Sequence, residues 1–174
     1  LVLQSLFPNP VKIRHAVLAD VPSMIAIERA SSTAAHWSEQ QYLELFQPTH
    51  ARSERLVLVA DLPSLDPASP DLHQDAVPAV AAFLVARRVA AEWELENIVV
   101  ASAARRTGLG LKLLEALLIA AKQSQSEALF LEVRESNTAA RTLYERFGFY
   151  LAGRRKSYYA NPLENALQYR RDLF

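Results

Sequence analysis

Apolar residues recur along this chain with two periods, and each change of period marks a new element. From Gly110 to about Gln123 they fall at Leu113, Leu114, Leu117, Leu118 and Ala121, the spacing of one helix face. From Ala128 to Arg134 they alternate instead. Leu129, Leu131 and Val133 take one side and Phe130, Glu132 and Arg134 the other, which is a strand. Residues 79–87 and 92–100 carry two more strand patterns, and Leu56 to Ala60 is a compact apolar run of strand length. Val11 to Val17 reads as a short first strand. Asp20 then stands as an N-cap, with Pro22 tolerated in the first helical turn. Ser38 and Gln41 have capping-box spacing, Trp37 and Tyr42 suit the hydrophobic staple, and that helix runs through Phe46 to Pro48. Asn137 can cap a helix to Arg146, with Gly148 placed to stop it in a left-handed turn. Short strands near 150–156 and 166–172 close the chain.

The order is strand, two helices, three strands, helix, strand, helix, two strands. The unit 94–134 is a strand–helix–strand crossover, so its two strands are expected to be parallel neighbours joined right-handedly. The segment 61–78 is rich in Pro, Asp and Ser and reads as an exposed, mobile hairpin loop. With no repeat and no second domain in the pattern, residues 1–174 read as one domain.

Composition removes several classes of function. Nineteen basic and nineteen acidic residues balance, so no global charge points to nucleic acid or to a membrane surface. The absence of cysteine removes disulfides, thiolate metal sites and a cysteine nucleophile, and fits a cytoplasmic protein. His15, His36, His50 and His73 are scattered without ligand spacing, so no metal is indicated. The first residues lack the basic start and cleavage site of a signal peptide, and the chain opens on Leu1, so the native N-terminus need not be present. The oligomeric state is left open.

Two places carry candidate chemistry. The first is Arg105-Arg106-Thr107-Gly108-Leu109-Gly110, a glycine turn between a strand and a helix. Unpaired first-turn amides and the helix dipole make such a turn a phosphate site, and two arginines stand beside it. Its simpler explanation is a plain strand-to-helix turn with solvated arginines. It is neither the three-glycine dinucleotide fingerprint nor a P-loop, which needs Lys-Ser/Thr after the glycines. The second is the pair Glu132 and Tyr144. A glutamate inside an apolar strand is costly unless paired, hydrated or used. Tyr144 sits beside the apolar stripe of the next helix, where its hydroxyl can reach a crevice. Singly, a salt bridge explains Glu132 and amphipathic packing explains Tyr144. Together with the glycine turn, they suit acyl transfer from a phosphate-bearing carrier to an amine.

These segments resemble the GNAT superfamily of acetyl-CoA-dependent N-acetyltransferases, and most of all its ribosomal-protein alanine N-acetyltransferases. The likeness rests on residues 96–100 (ENIVV), 105–110 (RRTGLG), 129–149 (LFLEVRESNTAARTLYERFGF) and 154–159 (RRKSYY). It implies a mixed α+β fold whose sheet splays between the 94–100 and 128–134 strands, with acetyl-CoA in the opening. It further implies that backbone groups of Ile98, Val99 and Val100 align the thioester and pantetheine arm. Arg105, Arg106, Thr107, Gly108, Leu109, Gly110 and Leu111 would hold the pyrophosphate, and Asn137 would touch the cofactor from the other side. Glu132 would be general base and Tyr144 general acid. Glu28, Trp37, Tyr158 and Tyr159 would line the acceptor site. The implied acceptor is a protein N-terminus, the alanine of the eighteenth small-subunit ribosomal protein. Glu92, Glu94, Glu96 and Glu135 could attract its basic tail.

The sequence departs from the family in places. Ser102 and Ala104 stand where proline and an aromatic residue are common, Arg105 where glutamine is, and His36 where proline is frequent. A small amine, an antibiotic or a lysine as acceptor stays open, as does a non-catalytic acetyl-CoA-binding or protein-interaction module.

Overall fold

The computed structural model describes residues 11–31, 33–47, 54–61 and 80–174. The alternating stretches become β1 (Ile13–His15), β2 (Arg55–Asp61), β3 (Val80–Val89), β4 (Glu92–Val100), β5 (Ala128–Arg134), β6 (Tyr150–Ala160) and β7 (Leu163–Asp172). The helical stretches become α1 (Val21–Arg29), α2 (Glu39–Glu44), α3 (Leu109–Gln123) and α4 (Thr138–Arg146). All seven strands join one mixed sheet in the order β1-β2-β3-β4-β5-β7-β6. β4 and β5 are its only parallel neighbours among the described residues, as the crossover predicts.

Two apolar layers cover the sheet. On one face Leu58, Leu84, Trp93, Leu95, Leu129 and Leu131 meet Leu113, Leu114 and Leu117 of α3 and Tyr144 of α4. On the other, Val57, Val59, Phe83 and Val85 meet Met24 and Ile25 of α1 and Tyr42 of α2. β2 and β3 are therefore buried on both faces, which is why their sequences are continuous apolar runs without alternation. Each fully buried leucine contributes about 1.5–3 kcal/mol.

Local chemistry sets the element ends. Ser38 Oγ accepts from the Gln41 amide, Gln41 returns a bond to the Ser38 N–H, and the Trp37 and Tyr42 rings pack 5.6 Å apart. Gly148 adopts φ 86°, the left-handed turn expected of it. Asp20 differs from expectation. A 3-10 turn at Leu18–Asp20 precedes α1, and the carboxylate caps that turn at the Val17 N–H rather than the helix. Arg14 then grips the same carboxylate at 2.7 Å. β6 and β7 extend beyond the predicted strands because β6 is an exposed edge strand. Backbone pairing continues there after the apolar pattern stops. The predicted 61–78 loop and the Pro48 stop fall almost wholly outside the described residues. No described helix is long and apolar enough to cross a membrane.

One irregularity organises the rest of the molecule. The parallel ladder of β4 and β5 runs from Glu92↔Ala128 to Leu95↔Leu131 and stops. Beyond it β4 stays with β3 to Val100 and β5 stays with β7 to Arg134. A register shift in β4 marks the parting, with Val85 opposite Asn97 but Ala86 opposite Leu95, so Glu96 is the extra residue.

Candidate active site

The parted strands leave backbone groups unpaired, and hydrogen-bond alternation identifies them. The Ala101 amide donates to Ala81 on the β3 side, so in β4 the groups of Val99 also face β3 and those of Ile98 and Val100 face the gap. Of the three residues expected to line up a thioester, Val99 is thus committed to β3, and its side chain is buried under α1 and α2. On the facing wall the Glu135 amide donates to the Asn165 carbonyl of β7, which turns the backbone groups of Glu132 and Arg134 into the gap.

The glycine turn lies at the end of the β4 wall. Gly108 caps α3 with φ 87° and has open space around it, so glycine stands there for backbone conformation, not for room. Gly110 is tight instead, since an added Cβ would lie 3.1 Å from Leu143 of α4. Arg106 is also left-handed, at φ 65°. Successive left- and right-handed residues aim their amides to one side. The six amides from Arg106 to Leu111 donate to nothing among the described residues. Thr107 Oγ1 folds back onto the Ala104 carbonyl at 2.7 Å. Leu109 is buried, while Leu111 is 39% exposed at the mouth of the turn. Arg105 departs from expectation. Its guanidinium turns to the Val100 carbonyl and the Ser31 hydroxyl, both at 3.3 Å, and so ties the turn to β4 and to the end of α1. Asn137 uses its Oδ1 to cap α4 at the Ala140 amide, and its NH2 has no partner among the described residues.

Glu132 projects from the β5 wall on the face away from α3. Its Oε1 accepts from Arg155 and from Gln168, each at 3.0 Å. The partner foreseen for such a glutamate is therefore present, and it comes from β6. Tyr144 lies on the α3 side, packed against Phe149 and Tyr169. Burial, and then the charge of Tyr159, push its phenol above the ordinary range near 10, so it keeps its proton at neutral pH. Tyr158 and Tyr159 meet edge to face at 5.1 Å, with Arg155 stacked on the first ring and Arg134 on the second. Burial pushes Tyr159 up while Arg134 opposes it, and both Glu132 and Tyr144 lie within its electrostatic reach.

The remaining acceptor-side residues are placed more deeply than the sequence suggests. Glu28 is 1% exposed; it accepts from the Asn97 amide at 2.7 Å and the Trp37 N–H at 3.0 Å. Burial and the Glu28 charge push the nearby Tyr42 phenol far up. The four glutamates expected to draw a basic tail are already engaged. Glu92 pairs with Arg170, Glu94 and Glu96 share Arg87, and Glu135 pairs with Arg154. Glu96 is the one that keeps something in reserve. Its Oε2 is buried with no hydrogen-bond partner among the described residues. Burial raises its carboxyl above the usual range, against the pull of Arg55 and Arg87. Sequence gave it only charge, because the bulge that turns it inward has no signature in residue pattern.

Known proteins resemble this chain in sequence and fold. The model of the acetyltransferase (GNAT) family matches residues 34–149. The [ribosomal protein bS18]-alanine N-acetyltransferase of Escherichia coli strain K12 is 44% identical over 80 residues, 46% of this chain and 54% of that protein. The chain thus spans about half the length of the curated relatives it matches. The crystal structure of the ribosomal-protein-S18-alanine N-acetyltransferase from Escherichia coli superposes with TM-score 0.70 at 29% identity, covering 94% of each chain. Ard1 from Thermoplasma volcanium gives 0.76 at 22% identity over 94% of this chain and 98% of that one, a likeness of fold. With its sheet parted between β4 and β5 and a bare-amide turn at the head of α3, the chain belongs to the GNAT family of acetyltransferases.

Proposed function

We propose that this protein transfers an acetyl group from acetyl-CoA to a protein N-terminal α-amino group, that of alanine on a small-subunit ribosomal protein. The observation that carries the proposal is the gap itself. It opens beyond Leu95 and Leu131, with backbone groups that have no strand partner on either wall and six amides at its end that donate to nothing among the described residues. The relatives named for bS18 alanine acetylation support the acceptor.

The donor fits what is present. Amides 106–111 and the α3 dipole suit a pyrophosphate, and they do so whatever the side chains are. Ile98 offers its backbone groups and Val100 its N–H to an amide-bearing arm, and the Asn137 NH2 is left for the cofactor. When bound, acetyl-CoA supplies an activated thioester carbonyl. Glu132 takes a proton from the acceptor ammonium, directly or through water, and the freed amine forms the new N–C bond as the C–S bond breaks. A β4 N–H at Ile98 or Val100 stabilises the developing oxyanion. Tyr144, protonated at neutral pH, donates its proton to the departing sulfur, and the second proton that the nitrogen sheds as the amide forms restores the phenol. Glu28 and Trp37 shape the acceptor side from α1 and α2, and Tyr158 and Tyr159 from β6. Transfer is direct, with no acyl-enzyme.

One observation favours a second proton acceptor. Glu96, at the parting of the strands, holds a buried oxygen without a partner among the described residues and a carboxyl raised above the usual range by burial. Comparing Glu96→Gln with Glu132→Gln decides between them: the true base loses turnover and keeps acetyl-CoA affinity. Thiol release is measured against peptides with free N-terminal alanine, blocked N-termini, and lysine as the sole amine. Release with the first alone supports the proposal. Release with the lysine peptide alone, or none with any peptide despite acetyl-CoA binding, contradicts it.

A further inference from the structure

Arg155 does more than neutralise Glu132. Its Nη1 lies 3.0 Å from Glu132 Oε1 and 3.4 Å from Oε2, and its guanidinium carbon sits 4.0 Å above the Tyr158 ring. A cation is thus enclosed by a carboxylate on one side and an aromatic face on the other. The backbone is bent to make this enclosure. Between Arg155↔Ala166 and Tyr159↔Glu164, β6 advances four residues while β7 advances two. Ser157 takes φ 50° within that bulge, and its amide is held by Asn165. In a regular strand residues 155 and 158 would point to opposite faces. The two extra residues bring Tyr158 round to the face of Arg155 and Glu132.

We propose that Glu132 and Tyr158 form a seat for the acceptor's ammonium group, which Arg155 occupies in the free enzyme and vacates when an acceptor binds. The inference rests on the acetyl-transfer reading and adds a binding role at the same carboxylate. The tenancy is exchangeable, because the Arg155 side chain is half exposed and exposed ion pairs are weak. Gln168 stays behind to orient the carboxylate from β7, with its own place fixed by Gly153, where any Cβ would meet the Gln168 carbonyl oxygen. Exchange of one cation for another keeps the half-buried carboxylate paired throughout. A neutral acceptor offers nothing in return for the displaced guanidinium, so the seat selects protonated amines.

The test uses the full chain, a peptide with free N-terminal alanine, and steady-state kinetics. Arg155→Gln is expected to lower the acceptor KM by up to about fivefold, with a smaller change in kcat, since one exposed ion pair is removed from competition. Arg155→Lys returns KM towards the wild-type value. Millimolar guanidinium chloride inhibits Arg155→Gln competitively against the peptide and affects the wild type less. A raised KM in Arg155→Gln, or equal guanidinium sensitivity in both proteins, overturns the seat. Glu132→Gln separates the two levels of inference: full turnover in that variant removes Glu132 as base, whereas lost turnover there with a raised KM in Arg155→Gln removes the seat alone. Calorimetry with acetyl-CoA confirms that each variant is folded.

Discussion

At the α3 end of the gap six consecutive amides stand without partners among the described residues, while on its β5 wall Glu132 and Glu135 each already hold an arginine of β6. The first site is built from backbone, fixed in place by a helix start and two left-handed residues. The second is built from side chains that satisfy one another until something replaces them. A backbone site is ready before its ligand arrives and tolerates sequence change. A side-chain site must exchange partners to work, so its specificity can be tuned residue by residue.

Predictions that break this comparison begin with the largest effect. Glu132→Gln should reduce kcat about 10²–10⁴-fold while acetyl-CoA affinity, read by calorimetry, holds. A matched loss of cofactor affinity would show that the two ends are not separate. Glu28→Ala should cost about 2–4 kcal/mol of stability in urea unfolding, because it orphans the buried Asn97 amide and the Trp37 N–H. Its cofactor affinity should barely change. Leu111→Pro deletes one amide where a first helical turn tolerates proline, and should weaken acetyl-CoA binding about tenfold. Arg105→Gln, whose side chain faces Val100 and Ser31, should weaken that binding far less. If Arg105→Gln proved the more damaging of the two, the turn would be a side-chain site after all.

The smallest effect lies far from the gap. Burial alone would raise the Asp20 carboxyl, but bonds from Arg14 and the Val17 amide more than offset this and hold it below the usual range. Its contribution to stability is therefore complete above the ordinary carboxylate pKa and is lost as pH falls towards the lowered value. Urea midpoints of wild type and Asp20→Asn should converge as pH drops below the ordinary carboxylate range. A constant difference would contradict the pairing.

How much of this the sequence showed follows the same division. The strand and helix order, the parallel crossover and the glycine turn were legible, because period and backbone-breaking residues encode them locally. Gly108 announces its left-handed conformation by being glycine. The side-chain partners were not legible. Arg155 reaches Glu132 only because β6 lies beside β7, and Tyr158 joins them only because β6 then bulges by two residues. Glu96 turns inward only at a one-residue slip against β3. Arg105 reads as a cation for phosphate until the end of α1 brings Ser31 within reach. Such facts depend on register and on contacts distant in sequence, which composition and spacing do not carry.

The central claim is that the parted strands and the bare turn together receive acetyl-CoA, and amide hydrogen exchange with and without the cofactor tests it most directly. The claim predicts slowed exchange at Arg106 to Leu111 and at Ile98 and Val100, with β1 and β2 unchanged. Exchange at residues 106–111 that stays as fast with saturating acetyl-CoA as without it would contradict it.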